Sequence, residues 1–148
     1  MIVGIDLGTT NSLVAAFTEE GPVIIPNRLG KHLTPSVVSV DENGNVYVGE
    51  TAQERRNLYP DSVAQAFKRS MGTDRTYDLS GKKFRPEELS SMILRYLPVP
   101  DGLQSHSGMF LHLLFQPLQC FFLPALFQHL QYPYHLQFLA DGQMSGLQ

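Results

Sequence analysis

The residues that could do chemistry stand close together near the start of the chain. Residues 4–12 read GIDLGTTNS, which places an acid at the end of an apolar run and follows it with a glycine and two hydroxyl residues. Gly8 lets the backbone come close to an anion, and successive N–H groups of such a turn form a concave anion site. Thr9 and Thr10 add hydroxyl donors, and Asp6 can hold a magnesium ion through its water shell. The stretch therefore indicates a phosphate-binding loop.

A purely structural alternative exists for the same stretch. A simple hairpin turn also uses glycine and short polar residues, with the Asp6 carboxylate accepting backbone hydrogen bonds. The loop residues taken alone support the two alternatives about equally. The elements around the loop, which must hold it in place, carry the remaining information.

Short strands are predicted on both sides of the loop. The predicted strands cover residues 1–6, 12–17, 22–26, 36–40 and 46–48. The first three are apolar runs separated by short polar and glycine-containing stretches, which favours an antiparallel meander. The last two flank an Asn43-Gly44 step that tolerates positive φ, so they are predicted to form a hairpin.

Two helices are predicted after these strands. Thr51 and Glu54 have the spacing of a capping box, and Pro60 is expected to end the helix that they begin. Residues 62–71 carry apolar side chains at helical spacing, and Gly72 is placed to end that segment in a left-handed cap. The chain therefore changes from strand to helix in its middle third.

A third predicted helix begins at Pro86. Proline is favoured at the first helical position, and Glu87 and Glu88 complement the positive end of the helix dipole. An apolar stripe continues along one face as far as Leu97. Together with the strands, these helices predict an α/β chain.

Several motifs beyond the loop occur in a fixed order along the chain. They are Asn27, LTPSVVSV at residues 33–40, Val48-Gly49, Ala52, Arg56, FKRSMG at residues 67–72 and PEELSSMILR at residues 86–95. The loop alone resembles the first phosphate motif of the actin-like ATPase superfamily, which also includes sugar kinases and bacterial actin homologues. The full set resembles the DnaK-type chaperones of the heat shock protein 70 family, over residues 1 to about 96. It implies the actin-like ATPase (ribonuclease H-like) fold, with an incomplete first lobe.

The resemblance implies a role for the loop residues. Gly8, Thr9, Thr10 and the backbone of Asn11 would bind the phosphates of ATP or ADP. Asp6 would lie beside a magnesium ion. These implied roles agree with the phosphate chemistry that the residue types themselves favour.

Lys68 matches the catalytic lysine of the family. The resemblance implies that it orients the attacking water and offsets charge on the transferred phosphoryl group, since positioning and electrostatics dominate phosphoryl transfer. Without the resemblance, a solvated lysine beside Arg69 on a polar helix face would be the better interpretation. The surrounding FKRSMG motif favours the catalytic role.

Two hypotheses for function follow from the resemblance. At family level the function is ATP hydrolysis coupled to the binding and release of unfolded polypeptides, with co-chaperones, in the cytoplasm. The family's second phosphate loop, adenosine pocket and further magnesium-coordinating acids have no counterpart in residues 98–148. The alternative is therefore a truncated, catalytically inactive remnant with no chaperone or ATPase activity.

Composition excludes other classes of protein. Fourteen acidic and eleven basic residues give a net charge of -3, too weak and scattered for a nucleic-acid footprint. Cys120 is the single cysteine, so no intramolecular disulfide can form and a reducing compartment is favoured. The N-terminus lacks a basic segment followed by an apolar run and does not predict a signal peptide.

The last third of the chain differs in composition from the rest. After Leu97 the only charged residues are Asp101 and Asp141, while six of the nine phenylalanines and four of the five histidines lie there. We therefore divide the chain into residues 1–97, the first segment of a nucleotide-binding domain, and residues 98–148, an unrelated tail. A shifted reading frame or a gene-model error explains such a change best, and the tail is predicted to be unstructured.

Two other interpretations of the tail are weaker. Residues 109–127 are rich in Leu and Phe, but Pro117 and Pro124 interrupt them and no Lys or Arg flanks them, which argues against a membrane span. The tail histidines are separated by gaps that match no common metal-ligand spacing. They are His106, His112, His129 and His135.

Overall fold

The computed structural model describes residues 2–98 and 110–114. Its strands are β1 (Ile2–Leu7), β2 (Asn11–Thr18), β3 (Gly21–Ile25), β4 (Thr34–Pro35), β5 (Val37–Val40), β6 (Val46–Val48), β7 (Val63–Gln65), β8 (Tyr77–Leu79), β9 (Lys82–Phe84) and β10 (Phe110–Leu114). Its helical elements are α1 (Glu50–Arg55), α2 (Pro86–Tyr96) and the 3₁₀ turns Pro60–Ser62 and Phe67–Ser70. The fold is therefore mixed α/β.

The first sheet carries the candidate loop at one end of its central strands. Its order is β10-β1-β2-β3, and β4 pairs with β2 beside the loop. The β1, β2 and β3 strands are antiparallel neighbours, which confirms the predicted meander. Alternation along β1 buries Val3, Ile5 and Leu7 and leaves Asp6 exposed. The apolar face thus fixes which side of the strand the acid occupies.

One core joins this sheet to the rest of the fold. The second sheet has the order β6-β5-β7, and β8 pairs with β9 in a separate hairpin. Apolar side chains from both larger sheets and from α2 form a single buried cluster. Its members are Val3, Ile5, Leu7, Val14, Val38, Val40, Val48, Ala64, Phe67, Leu79, Leu89, Ile93, Leu94 and Leu97. Burial of this cluster holds the loop-bearing strands against the second sheet.

Two predicted elements are confirmed closely. The α2 helix begins at Pro86, and the Glu88 carboxylate accepts a 2.7 Å hydrogen bond from the Arg85 N–H at its start. Its predicted stripe is buried, including Leu89 and Ile93. The β5–β6 hairpin also forms, and Gly44 has a φ of 88° as the Asn-Gly step requires.

The predicted helix over residues 62–71 is wrong. Val63–Gln65 is a strand that pairs with β5, and Phe67–Ser70 forms a single 3₁₀ turn after Ala66, which has a φ of 54°. The apolar residues Ala64, Phe67 and Met71 are all buried, so the pattern of burial was right and the element type was not. The β7 strand forms backbone hydrogen bonds with the edge of β5 that β6 leaves open. A helix over residues 62–71 would leave the N–H and C=O groups on that edge of β5 unpaired.

The first predicted helix forms, but with a different start and end. The α1 helix begins at Glu50 after Gly49, which has a φ of 73° and whose N–H donates a 3.0 Å hydrogen bond to the Val37 carbonyl. These two features fix the direction in which the chain enters the helix. No side chain caps it, so the Thr51 and Glu54 capping box is wrong. The helix ends at Arg55, well before Pro60.

The β8–β9 hairpin was not predicted. Its two turn residues, Ser80 and Gly81, have φ values of 51° and 80°, which is the pattern of a two-residue type I′ turn. A Ser-Gly step is a recognised turn signal, and the flanking strands are only three residues long. Such short strands carry too little alternation to stand out in the sequence.

The prediction of an unstructured tail is corrected at five residues. Residues 110–114 form β10, which pairs in parallel with β1 from Ile2↔Phe110 to Asp6↔Leu114. The physical reason is that the outer edge of β1 offers unpaired N–H and C=O groups, and FLHLL contains no proline, glycine or charge to prevent pairing. The rest of the predicted tail lies outside the described residues.

The other hypotheses about the tail also fall outside the described part. Apart from the backbone of β10, the apolar segment at residues 109–127 is not described. The side chains of the four tail histidines also lie outside the described part of the chain. In residues 2–98 and 110–114, none of the helices has the length and apolar character needed to cross a bilayer.

Candidate phosphate-binding site

The connection between β1 and β2 forms a small exposed loop, residues 8–11, which we call the phosphate loop. The side chains of Thr10 and Asn11 are exposed, and Gly8 and Thr9 are partly exposed. Pairing of Leu7 with Ser12 closes the base of the loop. The predicted phosphate-binding residues therefore share one accessible turn.

Gly8 is required by the tightness of this loop. A Cβ atom added at Gly8 would lie 2.1 Å from the backbone oxygen of Asn11. Real Cβ atoms do not approach a backbone oxygen so closely, so a side chain here would force the loop open. The sequence argument gave glycine the role of admitting an anion; the geometry adds that the loop's own backbone needs the space.

Ser36 holds the phosphate loop from the side of the core. Its hydroxyl donates to the Gly8 carbonyl at 2.8 Å, and its N–H donates to the Thr10 carbonyl at 2.8 Å. Its hydroxyl also lies 2.9 Å from that of Ser12, and both serines are buried. Sequence reasoning did not single out either serine as a site residue, because Ser36 acts on backbone atoms of a loop 28 residues away and Ser12 acts through Ser36.

Lys68 lies beside the phosphate loop. Its side chain is 6% exposed, and its Nζ donates a hydrogen bond to the Leu7 carbonyl at the end of β1. Burial lowers the pKa of Lys68, and the negative charge of Asp6 offsets part of that effect. The alternative of a solvated lysine on a polar helix face is therefore wrong, because the side chain is buried and a single 3₁₀ turn, not an α-helix, carries it.

The turn that carries Lys68 is anchored on two sides. Phe67 is buried and meets the ring of Tyr77 edge to face, with the ring centroids 6.3 Å apart. On the other side, the buried carboxylate of Glu87 accepts a 2.8 Å hydrogen bond from the N–H of Gly72. Sequence reasoning assigned Glu87 to the helix dipole alone and missed this contact.

Asp6 has the exposure that a magnesium-binding carboxylate needs. The loop does connect a β-hairpin, but within residues 2–98 no N–H of the phosphate loop is bonded to the Asp6 carboxylate, so the hydrogen bonds that the purely structural alternative gives to Asp6 are not formed. The described residues contain no cluster of three or more metal-ligating side chains. A magnesium ion here would thus take most of its oxygen ligands from water and phosphate, with Asp6 as the protein's carboxylate.

The fold brings the predicted residues to one place. Asp6, the phosphate loop and the Lys68 ammonium all lie at the loop end of β1, although Lys68 is 61 residues from Leu7 in sequence. An exposed acid, two threonines that are at least partly exposed and a buried cation around one backbone turn suit an anion with an associated divalent metal.

Comparison with known proteins gives a family and a set of relatives. The family model described as "Hsp70 protein" matches residues 2–79. The chain is 47% identical over 97 residues to the protein named "Chaperone protein DnaK" of Mycoplasmopsis pulmonis (strain UAB CTIP), covering 66% of this chain and 16% of that relative. It is 46% identical, with the same coverage, to "Chaperone protein DnaK" of Mycoplasmopsis agalactiae (strain NCTC 10123 / CIP 59.7 / PG2). The chain thus spans about a sixth of the length of these relatives.

Proposed function

This chain belongs to the Hsp70 family, which has the actin-like ATPase fold, and from that premise we propose that its N-terminal part binds the phosphates of ATP or ADP. The observation that carries the proposal is the convergence of Asp6, the phosphate loop and the Lys68 ammonium at one end of β1. Binding would place a nucleotide's phosphates against the loop amides and hydroxyls.

Each residue has a distinct part in the proposed site. Thr9, Thr10 and the backbone N–H of Asn11 would donate hydrogen bonds to phosphate oxygens, and Gly8 keeps the loop tight enough to do so. Asp6 would hold magnesium through water, and the bound metal would neutralise phosphate charge.

Lys68 would orient the attacking water and offset charge on the transferred phosphoryl group. Its burial supports this role, because an ammonium in a low-dielectric position interacts more strongly with a nearby anion than an exposed one does. The hydrogen bond from Nζ to the Leu7 carbonyl would keep the side chain directed at the loop.

At the level of the whole protein, we propose a chaperone role. ATP hydrolysis would be coupled to the binding and release of unfolded polypeptides in the cytoplasm, assisted by co-chaperones. The names of the two relatives support this role, and the chain's 16% share of their length makes it a statement about the family rather than about these residues alone. We keep the proposed boundary near Leu97, since the similarity covers the N-terminal two thirds of the chain.

Calorimetric titration with Mg-ATP tests the site. The full chain should bind, and Thr10→Ala and Asp6→Ala should each weaken binding by about 10- to 100-fold, the cost of losing a hydrogen bond or ligand to a charged group. Thr51→Ala and Asp74→Ala are matched controls, since both residues are exposed and distant in sequence from the phosphate loop. The controls should bind like the unmodified chain.

Two measurements on the full chain distinguish the two functional hypotheses. If Mg-ATP produces no heat at high protein concentration, the nucleotide-binding proposal is wrong and the alternative, a catalytically inactive remnant, is favoured. A rate of phosphate release that exceeds the buffer rate and is lost in Lys68→Ala would instead exclude the remnant.

A further inference from the structure

Ser36 occupies the junction between the two larger sheets. It follows β4, which pairs with β2 next to the phosphate loop, and precedes β5, whose four residues are all buried. Ser36 itself is 3% exposed. A buried residue fixed in this way between two strands can serve as a rigid support for a neighbouring exposed loop.

The hydroxyl protons at this junction have a defined direction. A serine hydroxyl has one proton to donate and can accept at its lone pairs. The Ser36 proton is used on the Gly8 carbonyl at 2.8 Å. The Ser12 hydroxyl, 2.9 Å away, must therefore donate to Ser36. The resulting chain of hydrogen bonds runs from Ser12 through Ser36 to the phosphate loop.

This arrangement fixes which way the loop amides face. In a planar trans peptide the C=O of one residue and the N–H of the next point in opposite directions. Ser36 binds the carbonyls of Gly8 and Thr10, so the N–H groups of Thr9 and Asn11 must point away from it. Both N–H groups therefore lie on the side of the loop opposite Ser36.

We propose that Ser36 is a positioning residue that holds the phosphate loop with its Thr9 and Asn11 amides presented to an anion. The order of the loop is a property of the chain without ligand. The consequence for affinity rests on the proposed nucleotide function.

Ser62 provides a matched control within the same chain. Its buried hydroxyl donates to the Tyr59 carbonyl at 2.8 Å and lies 3.1 Å from the hydroxyl of Ser39. It therefore repeats the chemistry of Ser36, a buried serine that bonds one backbone carbonyl and one serine hydroxyl, away from the phosphate loop. Ser36→Ala and Ser62→Ala should lower the free energy of unfolding by similar amounts.

The first test measures backbone order in the full chain without ligand, by 15N relaxation. Rigid amides have order parameters of about 0.85 and flexible ones fall below about 0.6. We expect the Thr9 and Asn11 amides to change from the rigid to the flexible class in Ser36→Ala and to stay rigid in Ser62→Ala. Ser36→Thr, which keeps the hydroxyl, should restore order. If Ser36→Ala does not fold, Ser36→Cys replaces it, because a thiol is a weak donor of similar size.

The second test titrates the same variants with Mg-ADP. Ser36→Ala should bind about tenfold more weakly than the unmodified chain, and Ser62→Ala should not differ from it. Equal loop order in Ser36→Ala and Ser62→Ala would overturn the positioning role, whatever the affinities. Absence of binding by the unmodified chain would contradict the nucleotide function and leave the order measurement to decide the role of Ser36.

Discussion

Two tight turns of this chain contain similar residues but direct their polar groups differently. The phosphate loop contains Gly8 and Asn11 and follows Asp6 at the end of β1, and the turn at residues 41–45 follows β5 and contains acids, a glycine and asparagines. Both connect antiparallel strands. Composition alone would therefore assign them the same purpose.

The polar groups of the turn at residues 41–45 form their hydrogen bonds within the hairpin. Both oxygens of the Asp41 carboxylate accept hydrogen bonds within the hairpin, from the N–H of Asn45 (2.8 Å), the Asn45 side-chain amide (2.8 Å) and the Tyr47 hydroxyl (3.2 Å). The Gly44 N–H also bonds to the Asp41 carbonyl at 3.0 Å. A turn whose acid is occupied in this way has a structural role.

Backbone carbonyls of the phosphate loop accept hydrogen bonds from a residue outside the loop. Ser36, far along the sequence, binds two of its carbonyls, and among residues 2–98 none donates a hydrogen bond to the Asp6 carboxylate. Its charge instead acts on the buried ammonium of Lys68. The phosphate loop, held by a distant residue, thus leaves the neighbouring Asp6 carboxylate exposed, whereas the turn at residues 41–45 uses its own acid to hold its backbone.

The largest expected effect is the difference in the free energy of unfolding between alanine substitutions at Gly8 and at Gly44. Gly8→Ala places a Cβ 2.1 Å from a backbone oxygen, so the loop must move, and we expect a loss of about 3 kcal/mol in the free energy of unfolding together with loss of nucleotide binding. Gly44→Ala meets only the flexible end of Lys82 and strains one positive φ, at a cost of about 1 kcal/mol.

Chemical denaturation of both variants measures this contrast. The comparison fails if the two substitutions cost the same, because the close approach of the Asn11 oxygen to Gly8 would then add nothing to the cost. Retention of Mg-ATP binding in Gly8→Ala would show that the loop tolerates being opened.

How far the sequence predicted the fold depended on the range of the contacts involved. The β1–β2–β3 meander, the Asn43-Gly44 hairpin and α2 were predicted because alternation, turn residues and an apolar stripe act over a few residues. The segment at residues 62–71 was not, because the pairing of β7 with β5 overrides helical spacing. A short apolar run fits a strand and a helix equally well until its partner is known.

The same distinction applies to the candidate site. The phosphate loop could be found from residue types, since glycine, hydroxyls and an acid adjoin in the sequence. Lys68 could be named only from a resemblance, and its burial could not be predicted. Ser36 and Glu87 were missed as site residues because their contacts with the site go to backbone atoms, which no residue pattern identifies.

A smaller effect follows from the buried cation that faces Asp6. Burial lowers the pKa of Lys68 from the ordinary value of 10.5, so between the lowered value and 10.5 the unfolded chain binds more protons than the folded chain. The free energy of unfolding of the nucleotide-free chain should therefore rise with pH across this window. In Lys68→Met that rise should be smaller.

Denaturant unfolding at several alkaline pH values measures the slope. Lys83→Met is the control, since Lys83 is exposed, and its slope should match that of the unmodified chain. Identical slopes in Lys68→Met and Lys83→Met would contradict the buried position of the Lys68 ammonium. The phosphate loop would then differ less from the turn at residues 41–45, which has no buried cation beside it in the described residues.

The smallest expected effect is on the pKa of Asp41, and it tests whether the turn at residues 41–45 hydrogen-bonds its own acid. The Asn45 side chain, ahead of the other donors, lowers the pKa of Asp41 from its ordinary value of 3.8. Because the folded pKa is lowered, the stabilisation from these hydrogen bonds is present above the unfolded pKa and is lost as the pH falls through the folded value. NMR titration of the Asp41 carboxyl should therefore give a midpoint below 3.8 in the unmodified chain. Asn45→Ala should raise that midpoint toward 3.8, and Tyr47→Phe should raise it less, because the Tyr47 hydroxyl contributes less than Asn45. A midpoint unmoved by Asn45→Ala would mean that the turn does not occupy its own acid, and the two turns would then no longer differ in the respect that marks the phosphate loop as a binding site.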